Sequence, residues 1–405
     1  MERNLFRRGL TVGIMIGVLG LVTQMGIPAL LDAKEPFKIG AIFSFTGAAA
    51  IHSIQVKETL DWMVPQINAK GGILGRKVEV LYEDEKMDPA TALRRARKLV
   101  EEDKINVLLG TMISPGALAI SAMLPQWKTV MITPVNGAAE LTGSKYCKYF
   151  FRLSYGVPME TKAIALFLKD NPQFKTFYSL GIDSVWGRGM TDAFQKAIEK
   201  MGRKWLGAVY VPYGTTEFSS YITKIHLEKP DVVFTTVVAG EAVAFNTQAS
   251  KFGLTKETQF LVSQLPLTEL EATGDIMENY IGFSRYAFTI DNPVNKVFVE
   301  KFRKETGKLP DFYHGNTYDA MNLLMKAISK VGTDDSDAIV KALEGLDLDG
   351  VHGKFVMRAC DHQATLNGFI AKAVKAEGYP HLIPKILKVY PGDEIVAGCR
   401  KDEHD

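Results

Sequence analysis

A serine at the predicted start of a helix is the residue of this sequence best placed to do chemistry. The apolar run Ile105–Leu109 before it predicts a strand buried on both faces of a parallel sheet. Ser114 is a favoured N-cap residue, and Pro115 suits the first helical position. The next N–H groups, those of Gly116 and Ala117, would then point outward beside the serine hydroxyl. A helix start of this kind can bind an anion, although Ser114 could equally serve as a simple cap.

Motifs for metal, nucleotide or covalent chemistry do not occur in the sequence. The glycines of GGILGR lie before a predicted strand, whereas dinucleotide binding requires them between a strand and a helix. Ser114 stands in ISPG, which lacks the GxSxG pattern of a nucleophile elbow. The acidic run 83–85 could suggest a metal site, but carboxylates at a strand end are more typical of a solvated loop. We therefore expect a protein that is not an enzyme and has no catalytic residues, metal or cofactor.

Length and charge limit the class of protein. With 405 residues, 46% of them hydrophobic and 23% charged, the chain is long enough for two domains with separate cores. Its 48 basic and 46 acidic residues leave a formal net charge of +2. Because no overall field attracts polyanions, we expect no nucleic-acid partner and no binding to an anionic membrane surface.

The first 33 residues have the composition of a signal peptide. Arginines within residues 1–8 precede the apolar run Leu10–Val22, and Ala33 offers a small residue for cleavage before Lys34. A permanent anchor is the alternative, but glycines interrupt the run, which is short against the roughly 20 residues of a membrane span. No cysteine precedes Cys147, which excludes a bacterial lipid anchor. We expect cleavage and export to the periplasm.

The chain has 3 cysteines, an odd number for a protein of an oxidising compartment. Cys360 and Cys399 lie in the same C-terminal segment, where a disulfide would hold down the charged tail. Cys147 would then remain a free thiol. The sequence leaves open that the remaining cysteine pairs outside the chain instead.

Strand and helix patterns alternate through most of the chain. Phe37–Phe43 predicts a strand and Ser53–Ala69 a helix, and the alternation continues to Ala242–Phe252. Helices are then predicted over 295–306, 316–331 and 337–346, before strands return between 353 and 390. Such alternation predicts an α/β fold of parallel sheets with helices on both faces, which bind ligands at the carboxyl ends of their strands.

Several segments in order resemble one protein family. They are IGAIFSFTGAAA, INAKGGILGRKVEVLYEDEKMDP, KLVEEDKINVLLG, ITPVNGAAELT and VPYGTTEFSSYITKI. From Phe37 to Gly378 the chain is similar to solute-binding proteins of ABC importers, in the branch of the leucine/isoleucine/valine-binding and amide-binding proteins. The resemblance implies a type I periplasmic-binding-protein fold, with two Rossmann-like lobes that close over a ligand. It places the lobes at 37–153 plus 284–355 and at 154–283 plus 356–405, joined by three hinge crossings.

The resemblance also implies ligand-binding residues. Ser114 matches a serine that binds the ligand carboxylate, which agrees with its place at a helix start. His52 matches an aromatic residue at the cleft mouth, and Trp186 matches an aromatic residue from the second lobe. The alternatives are an exposed loop histidine and ordinary packing of an indole at a helix start. Other positions carried to the cleft are Ile113, Val135 and Ala239.

Two positions depart from the pattern of amino-acid binders. Gly137 stands where those relatives have a threonine hydroxyl, and Gln264 stands where they have an acidic side chain. A buried ammonium group needs a compensating negative charge, which Gln264 cannot supply. If the match slips by a residue or more, Glu241 or Glu269 could substitute.

We therefore expect the ligand to be a small carboxylate or amide with an apolar or aromatic body, without a required ammonium group. A branched-chain or other hydrophobic amino acid is the alternative. The expected partners are this small molecule and the transmembrane permease subunits of an ABC importer, and the protein is expected to be a monomer. A sensor that presents its ligand to a membrane receptor, or an exported enzyme, would use the same scaffold differently.

We predict that the exported protein begins near Lys34, because the charge, apolar length and small residues of the leader fit a cleaved signal. The intact mass of protein recovered from the envelope compartment measures this directly. A mass that still includes Leu10–Val22 would indicate an anchor instead.

Overall fold

The structure is a computed structural model that describes residues 34–399, through which strands and helices alternate. The predicted leader, 1–33, lies outside the described residues. The strands are β1 (Phe37–Phe43), β2 (Val78–Asp84), β3 (Val107–Gly110), β4 (Val130–Thr133), β5 (Phe150–Arg152), β6 (Thr176–Ile182), β7 (Lys204–Val211), β8 (Val232–Thr235), β9 (Gln259–Val262), β10 (Ile281–Ser284), β11 (Asp347–Gly350), β12 (Gly353–Val356), β13 (Gly368–Val374) and β14 (Ile383–Tyr390). The helices are α1 (Ala50–Ala69), α2 (Pro89–Glu101), α3 (Ser114–Ser121), α4 (Leu124–Trp127), α5 (Val157–Lys169), α6 (Val185–Lys200), α7 (Ser219–Glu228), α8 (Ala239–Lys251), α9 (Leu254–Glu257), α10 (Leu267–Thr273), α11 (Pro293–Thr306), α12 (Phe312–Val331), α13 (Ser336–Leu343) and α14 (Gly392–Ile395).

The strands form two large sheets and one hairpin. The five-stranded sheet has the order β2-β1-β3-β4-β5, with every neighbouring pair parallel. The seven-stranded sheet has the order β14-β13-β10-β9-β8-β6-β7; its strands from β6 to β10 are parallel, and β13 and β14 add an antiparallel edge. Strands β11 and β12 form an antiparallel hairpin. The predicted α/β class with two Rossmann-like sheets is confirmed.

Helices divide between the two sheets, and we call each sheet with its helices a half. In the first half, α1 to α4 connect the strands of the five-stranded sheet. Helices α11 to α13 return to this half, because α12 packs against α1 and α13. Trp62 of α1 contacts Phe298 and Phe302 of α11, at ring-centroid distances of 5.8 Å and 5.3 Å. The second half is the seven-stranded sheet with α5 to α10 and α14.

The chain passes between the halves after β5, after β10 and after β12. The first and last passages are tied together by buried polar contacts. Arg152 at the end of β5 donates to Gln363 Oε1 at 2.5 Å and to the carbonyl of Ala138 at 2.6 Å. Gln363 in turn donates to the carbonyl of Ser154 at 2.8 Å. The two passages therefore lie side by side as one connected strip.

The structure differs from the sequence-based expectation in where helix α13 ends. A helix was expected over 337–346, but α13 ends at Leu343 and β11 begins at Asp347. Glu344 is extended, and Gly345 adopts a positive φ of 75° that ends the helix. The short helix α10 was not expected either, because its seven residues are too few to show helical periodicity.

A disulfide joins Cys360 and Cys399, the pairing proposed from the sequence. Cys147 is a buried free thiol. Within residues 34–399, none of the helices is both long enough and apolar enough to cross a membrane.

Candidate ligand-binding site

A cavity lies where the carboxyl ends of the strands of the two halves face each other. Its volume is about 50 Å³. The structure brings together at this cavity all of the ligand-contact positions carried over from the family: His52, Ile113, Ser114, Val135, Gly137, Trp186, Ala239 and Gln264. The wall also contains Glu241, named from the sequence as a possible substitute for Gln264, and residues that the sequence did not single out: Ala49, Met87, Met112, Asn136, Tyr213, Val238, Arg285 and Tyr313.

The turn that leads into α3 is held by a buried carboxyl group. Glu85 Oε1 accepts hydrogen bonds from the N–H groups of Met112 at 2.8 Å and Ile113 at 3.2 Å. It also accepts from the hydroxyl of Ser44 at 3.0 Å. Burial raises the pKa of Glu85 to about 8, although these hydrogen bonds oppose the rise. The expectation of a solvated acidic loop is therefore wrong for Glu85, because its carboxyl group closes the turn before the helix.

Ser114 is the first residue of α3, and its backbone N–H has no acceptor inside the helix. The N-cap residue is Ile113, whose carbonyl accepts from the N–H groups of Gly116 at 3.1 Å and Ala117 at 3.2 Å. The expectation that these two N–H groups are free is thus wrong, since the helix starts one residue earlier than predicted. The Ser114 hydroxyl accepts a long hydrogen bond from the N–H of Ala138 at 3.4 Å. The donors left for an anion at this helix start are the N–H and hydroxyl of Ser114.

Asn136 adds a donor beside this helix start. Its Oδ1 accepts from the N–H of Thr111 at 3.0 Å and from the hydroxyl of Thr133 at 2.8 Å. These two donors fix the orientation of the amide, so that Nδ2 is the remaining atom. Asn136 Nδ2 is buried without a hydrogen-bond partner among the described residues. Because buried donors are nearly always paired, this atom is suited to a ligand oxygen.

His52 of α1 is fully buried in the wall of the cavity. Neither of its ring nitrogens has a hydrogen-bond partner among the described residues. Its ring packs edge-on against Tyr313 with centroids 5.3 Å apart. Burial, reinforced by the positive charge of Arg285, lowers the pKa of His52 to about 4. The imidazole is therefore neutral near pH 7 and offers one donor and one acceptor.

Glu269 lies next to His52 but serves the protein rather than the cavity. Its Oε1 is 3.7 Å from His52 Nε2 and accepts from the N–H of Ala239 at 2.6 Å. Burial raises the pKa of Glu269 well above its ordinary value, and the nearby carboxylates of Asp311 and Glu241 raise it further. Burial thus opposes the charged forms of both side chains, which weakens any ion pair between them. Ala239 lines the cavity, but its N–H is used by Glu269.

The structure explains why a glycine stands at 137. A Cβ atom at this position would lie 2.9 Å from Cδ1 and Nε1 of Trp186 and 3.0 Å from the carbonyl oxygen of Tyr155. The indole of Trp186, from the second half, therefore occupies the space of any side chain at 137. Trp186 is nearly fully buried and closes this side of the cavity.

Amino-acid binders have an acidic side chain at the position of Gln264, and here another residue, Glu241, places a carboxyl group in the cavity wall. Gln264 lines the cavity, and its Oε1 accepts a long hydrogen bond of 3.4 Å from the hydroxyl of Tyr313. Glu241 lines the same cavity, is almost fully buried, and accepts from the N–H of Gly214 at 2.7 Å with Oε1. Of the two candidates for substitution, Glu241 thus faces the cavity, whereas the described cavity wall does not include Glu269.

A buried ion pair includes one residue of the cavity wall, Arg285. Arg285, at the start of the second passage between the halves, donates to Glu160 Oε1 at 2.8 Å and to the carbonyl of Val135 at 2.6 Å. Both charged side chains are almost completely buried. Burial alone would lower the pKa of Arg285, but the carboxylate of Glu160 outweighs it and the pKa is raised. No short pattern in the sequence pointed to Arg285, because its partner Glu160 is distant along the chain.

Comparison with known proteins identifies the family. The model of the periplasmic binding protein family matches residues 36–378. The chain belongs to the periplasmic binding protein family. The resemblance inferred from the sequence is thereby confirmed.

Relatives of this periplasmic binding protein are known from several bacteria. An amino acid binding protein of Pseudomonas aeruginosa is 26% identical over 357 residues, covering 87% of this chain and 92% of that protein. A Leu/Ile/Val-binding protein homologue of Brucella melitensis is 27% identical, covering 77% of this chain and 84% of that protein. A solute-binding protein of an ABC transporter from Rhodopseudomonas palustris, solved in complex with 3,4-dihydroxybenzoic acid, has the same fold, with a TM-score of 0.81. It is 24% identical, and the match covers 88% of this chain and 98% of that one.

We predict that Glu160→Gln lowers the free energy of unfolding by about 3–5 kcal/mol, because it leaves the buried guanidinium of Arg285 without a counter-charge. Chemical denaturation measures the change. The double variant Glu160→Gln/Arg285→Met should regain part of the loss. Arg97→Gln, which breaks the exposed pair between Arg97 and Glu101, is the control and should cost much less. Equal effects of Glu160→Gln and Arg97→Gln would contradict this account of the ion pair.

Proposed function

We propose that this chain is the solute-binding component of an ABC importer, exported to the periplasm by a cleaved signal peptide, and that it delivers a small carboxylate with an apolar or aromatic body to the permease. The two halves would act as lobes, 37–153 plus 284–355 and 154–283 plus 356–405, that close over the ligand as a monomer. In support, relatives that match most of the chain are named as binding proteins for amino acids.

One observation carries the proposal: hydrogen-bond donors that the protein leaves unused face the same cavity. The hydroxyl and N–H of Ser114 and the Nδ2 of Asn136 are donors at the start of α3. A carboxylate there would accept from these donors and gain from the partial positive charge of the helix start. Rings and apolar side chains form the rest of the wall and suit an apolar body.

An ammonium group on the ligand is favoured by the position of Glu241. Its buried carboxylate would remain uncompensated beside a ligand that brings only another negative charge, and like charges in a buried site repel. An α-ammonium would neutralise it. Because Glu241 can supply the negative charge that Gln264 lacks, a hydrophobic amino acid is the first candidate among the carboxylates.

An aromatic acid without an ammonium group is the second candidate. The observation that favours it is the set of rings around the cavity: His52, Trp186, Tyr213 and Tyr313. Their flat faces and edges suit a benzoate ring. In this case the neutral His52 would donate to a ring substituent or to the carboxylate.

We predict that leucine, valine or phenylalanine raises the melting temperature more than the matched acids without the amino group, and more than benzoate or 4-hydroxybenzoate at equal concentration. A thermal-shift panel measures this. Glu241→Gln should abolish the preference for the amino acids, because it removes the counter-charge of the ammonium. Stabilisation by the aromatic acids alone would select the second candidate, and stabilisation only by compounds without a carboxyl group would contradict both.

We further predict that Ser114→Ala weakens binding of the best compound of this panel by about 1–3 kcal/mol, since one hydroxyl donor is lost while the Ser114 N–H remains. Isothermal calorimetry gives the affinity. Ser121→Ala, a buried serine at the far end of α3, serves as the control and should leave affinity unchanged. Unchanged affinity in a folded Ser114→Ala protein would reduce Ser114 to a structural residue.

A further inference from the structure

The N-terminus of α10 is capped by a carboxylate from the opposite half. Helix α10 begins after Pro266, which has no side chain able to cap it. The N–H groups of Leu267 and Thr268 donate to the two oxygens of Asp311, each at 2.9 Å, and the hydroxyl of Thr268 donates to Asp311 Oδ2 at 3.0 Å. Helix α10 packs on α8 in the second half, whereas Asp311 starts α12 in the first half. This cap therefore crosses the seam between the halves.

The first half holds Asp311 firmly in place. Its carboxylate is buried and also accepts from Gln55 Nε2 of α1 at 3.1 Å. Gln55 Oε1 accepts from the N–H of Tyr313 at 3.0 Å, and the N–H of Asp311 donates to Nδ1 of His314 at 3.0 Å. The carboxylate is thus positioned before the second half meets it.

Hydrogen bonds from a helix start to a carboxylate are charge-assisted and gain from the helix dipole. If the halves separate, α10 loses the acceptor for its first N–H groups, and Asp311 loses three donors at once. The contact therefore favours the arrangement in which the halves are together. Bonds within one half cannot have this effect, because they persist whether the halves are apart or together.

The segment that hydrogen-bonds to Asp311, around Leu267 and Thr268, also contains residues of the cleft. Gln264 lies three residues before Leu267, and Glu269 lies one residue after Thr268. Gln264 faces the cavity, and Glu269 fixes Ala239 beside His52. Holding Leu267 and Thr268 against the first half thus brings the wall of the second half to its place at the cavity.

We propose that Asp311 is a positioning residue for ligand capture: without touching the ligand, it caps α10 across the seam and so stabilises the closed arrangement of the two halves. The proposal rests on the proposed function, in which the halves close over a ligand. It assigns to Asp311 a share of the affinity that acts through closure rather than through contact.

The test uses a reporter of closure that needs no ligand. A Cβ atom on Gly240, in the second half, would lie 3.3 Å from the Cβ of Ala48, in the first half. This is just short of the about 3.5–4.5 Å that separates the Cβ atoms of a disulfide, so a small adjustment lets Ala48→Cys/Gly240→Cys cross-link when the halves are together. Neither residue lines the cavity. The rate of disulfide formation under a fixed oxidant then reports the closed fraction of the ligand-free protein.

In this double-cysteine protein, Asp311→Ala should slow cross-linking by about 10-fold or more, because hydrogen bonds to a charged group are lost only in the closed form. Asp311→Asn keeps the shape and one acceptor oxygen, so its rate of cross-linking should lie between those of the Asp311 and Asp311→Ala proteins. Asp335→Ala is the matched control: Asp335 caps α13 within the first half by accepting from the N–H of Ala338 at 2.9 Å. Asp335→Ala should lower the melting temperature without slowing cross-linking.

An unchanged rate in Asp311→Ala, or an equal slowing in Asp335→Ala, would overturn the proposal. If Asp311→Ala does not fold, the comparison of Asp311→Asn with Asp335→Asn decides in the same way. L-leucine is then added to the double-cysteine protein with Asp311 intact. Failure of L-leucine to speed cross-linking would count against the proposed ligand, whereas the effect of Asp311 on the ligand-free rate would stand independently of it.

Discussion

Buried donors without protein acceptors are the constraint on which the rest of this site depends. The Nδ2 of Asn136 and both nitrogens of His52 are removed from water and have no hydrogen-bond partner among the described residues. An unpaired buried polar group costs about 1–3 kcal/mol, and a ligand in the cleft would satisfy these atoms. Every other feature of the cleft either holds these groups in place or encloses them. Glu85 closes the turn before Ser114, the Thr111 and Thr133 donors orient Asn136, and Glu269 fixes Ala239.

Charge in the cleft is arranged in pairs with one exception. Arg285 is neutralised by Glu160, and burial opposes the charged forms of His52 and Glu269. Glu241 is the carboxylate in the cavity wall that has an N–H partner but no positive partner in the described ion pairs. A zwitterion would complete this arrangement, since its carboxylate would meet the α3 donors and its ammonium would meet Glu241.

Much of the fold followed from the sequence, because strands buried on both faces and amphipathic helices leave clear patterns, as in β3, β4 and α2. Ser114 and Trp186 could be placed in the cleft because a family resemblance fixed their positions. The start of α3 was misplaced by one residue, since cap geometry depends on the Glu85 contact to the preceding turn, which no local pattern encodes. Arg285, Asn136 and Asp311 were missed for the same physical reason: their partners lie far away in the sequence, and only folding brings them together.

The central claim is that the two halves close over a small carboxylate, and small-angle X-ray scattering tests it most directly. The radius of gyration is measured for the free protein, for the protein saturated with the most stabilising compound, and for oxidised Ala48→Cys/Gly240→Cys as a closed reference. The account predicts a larger radius for the free protein, and a radius for the saturated protein equal to that of the cross-linked reference. The same radius for free and saturated protein would contradict closure as the basis of ligand capture.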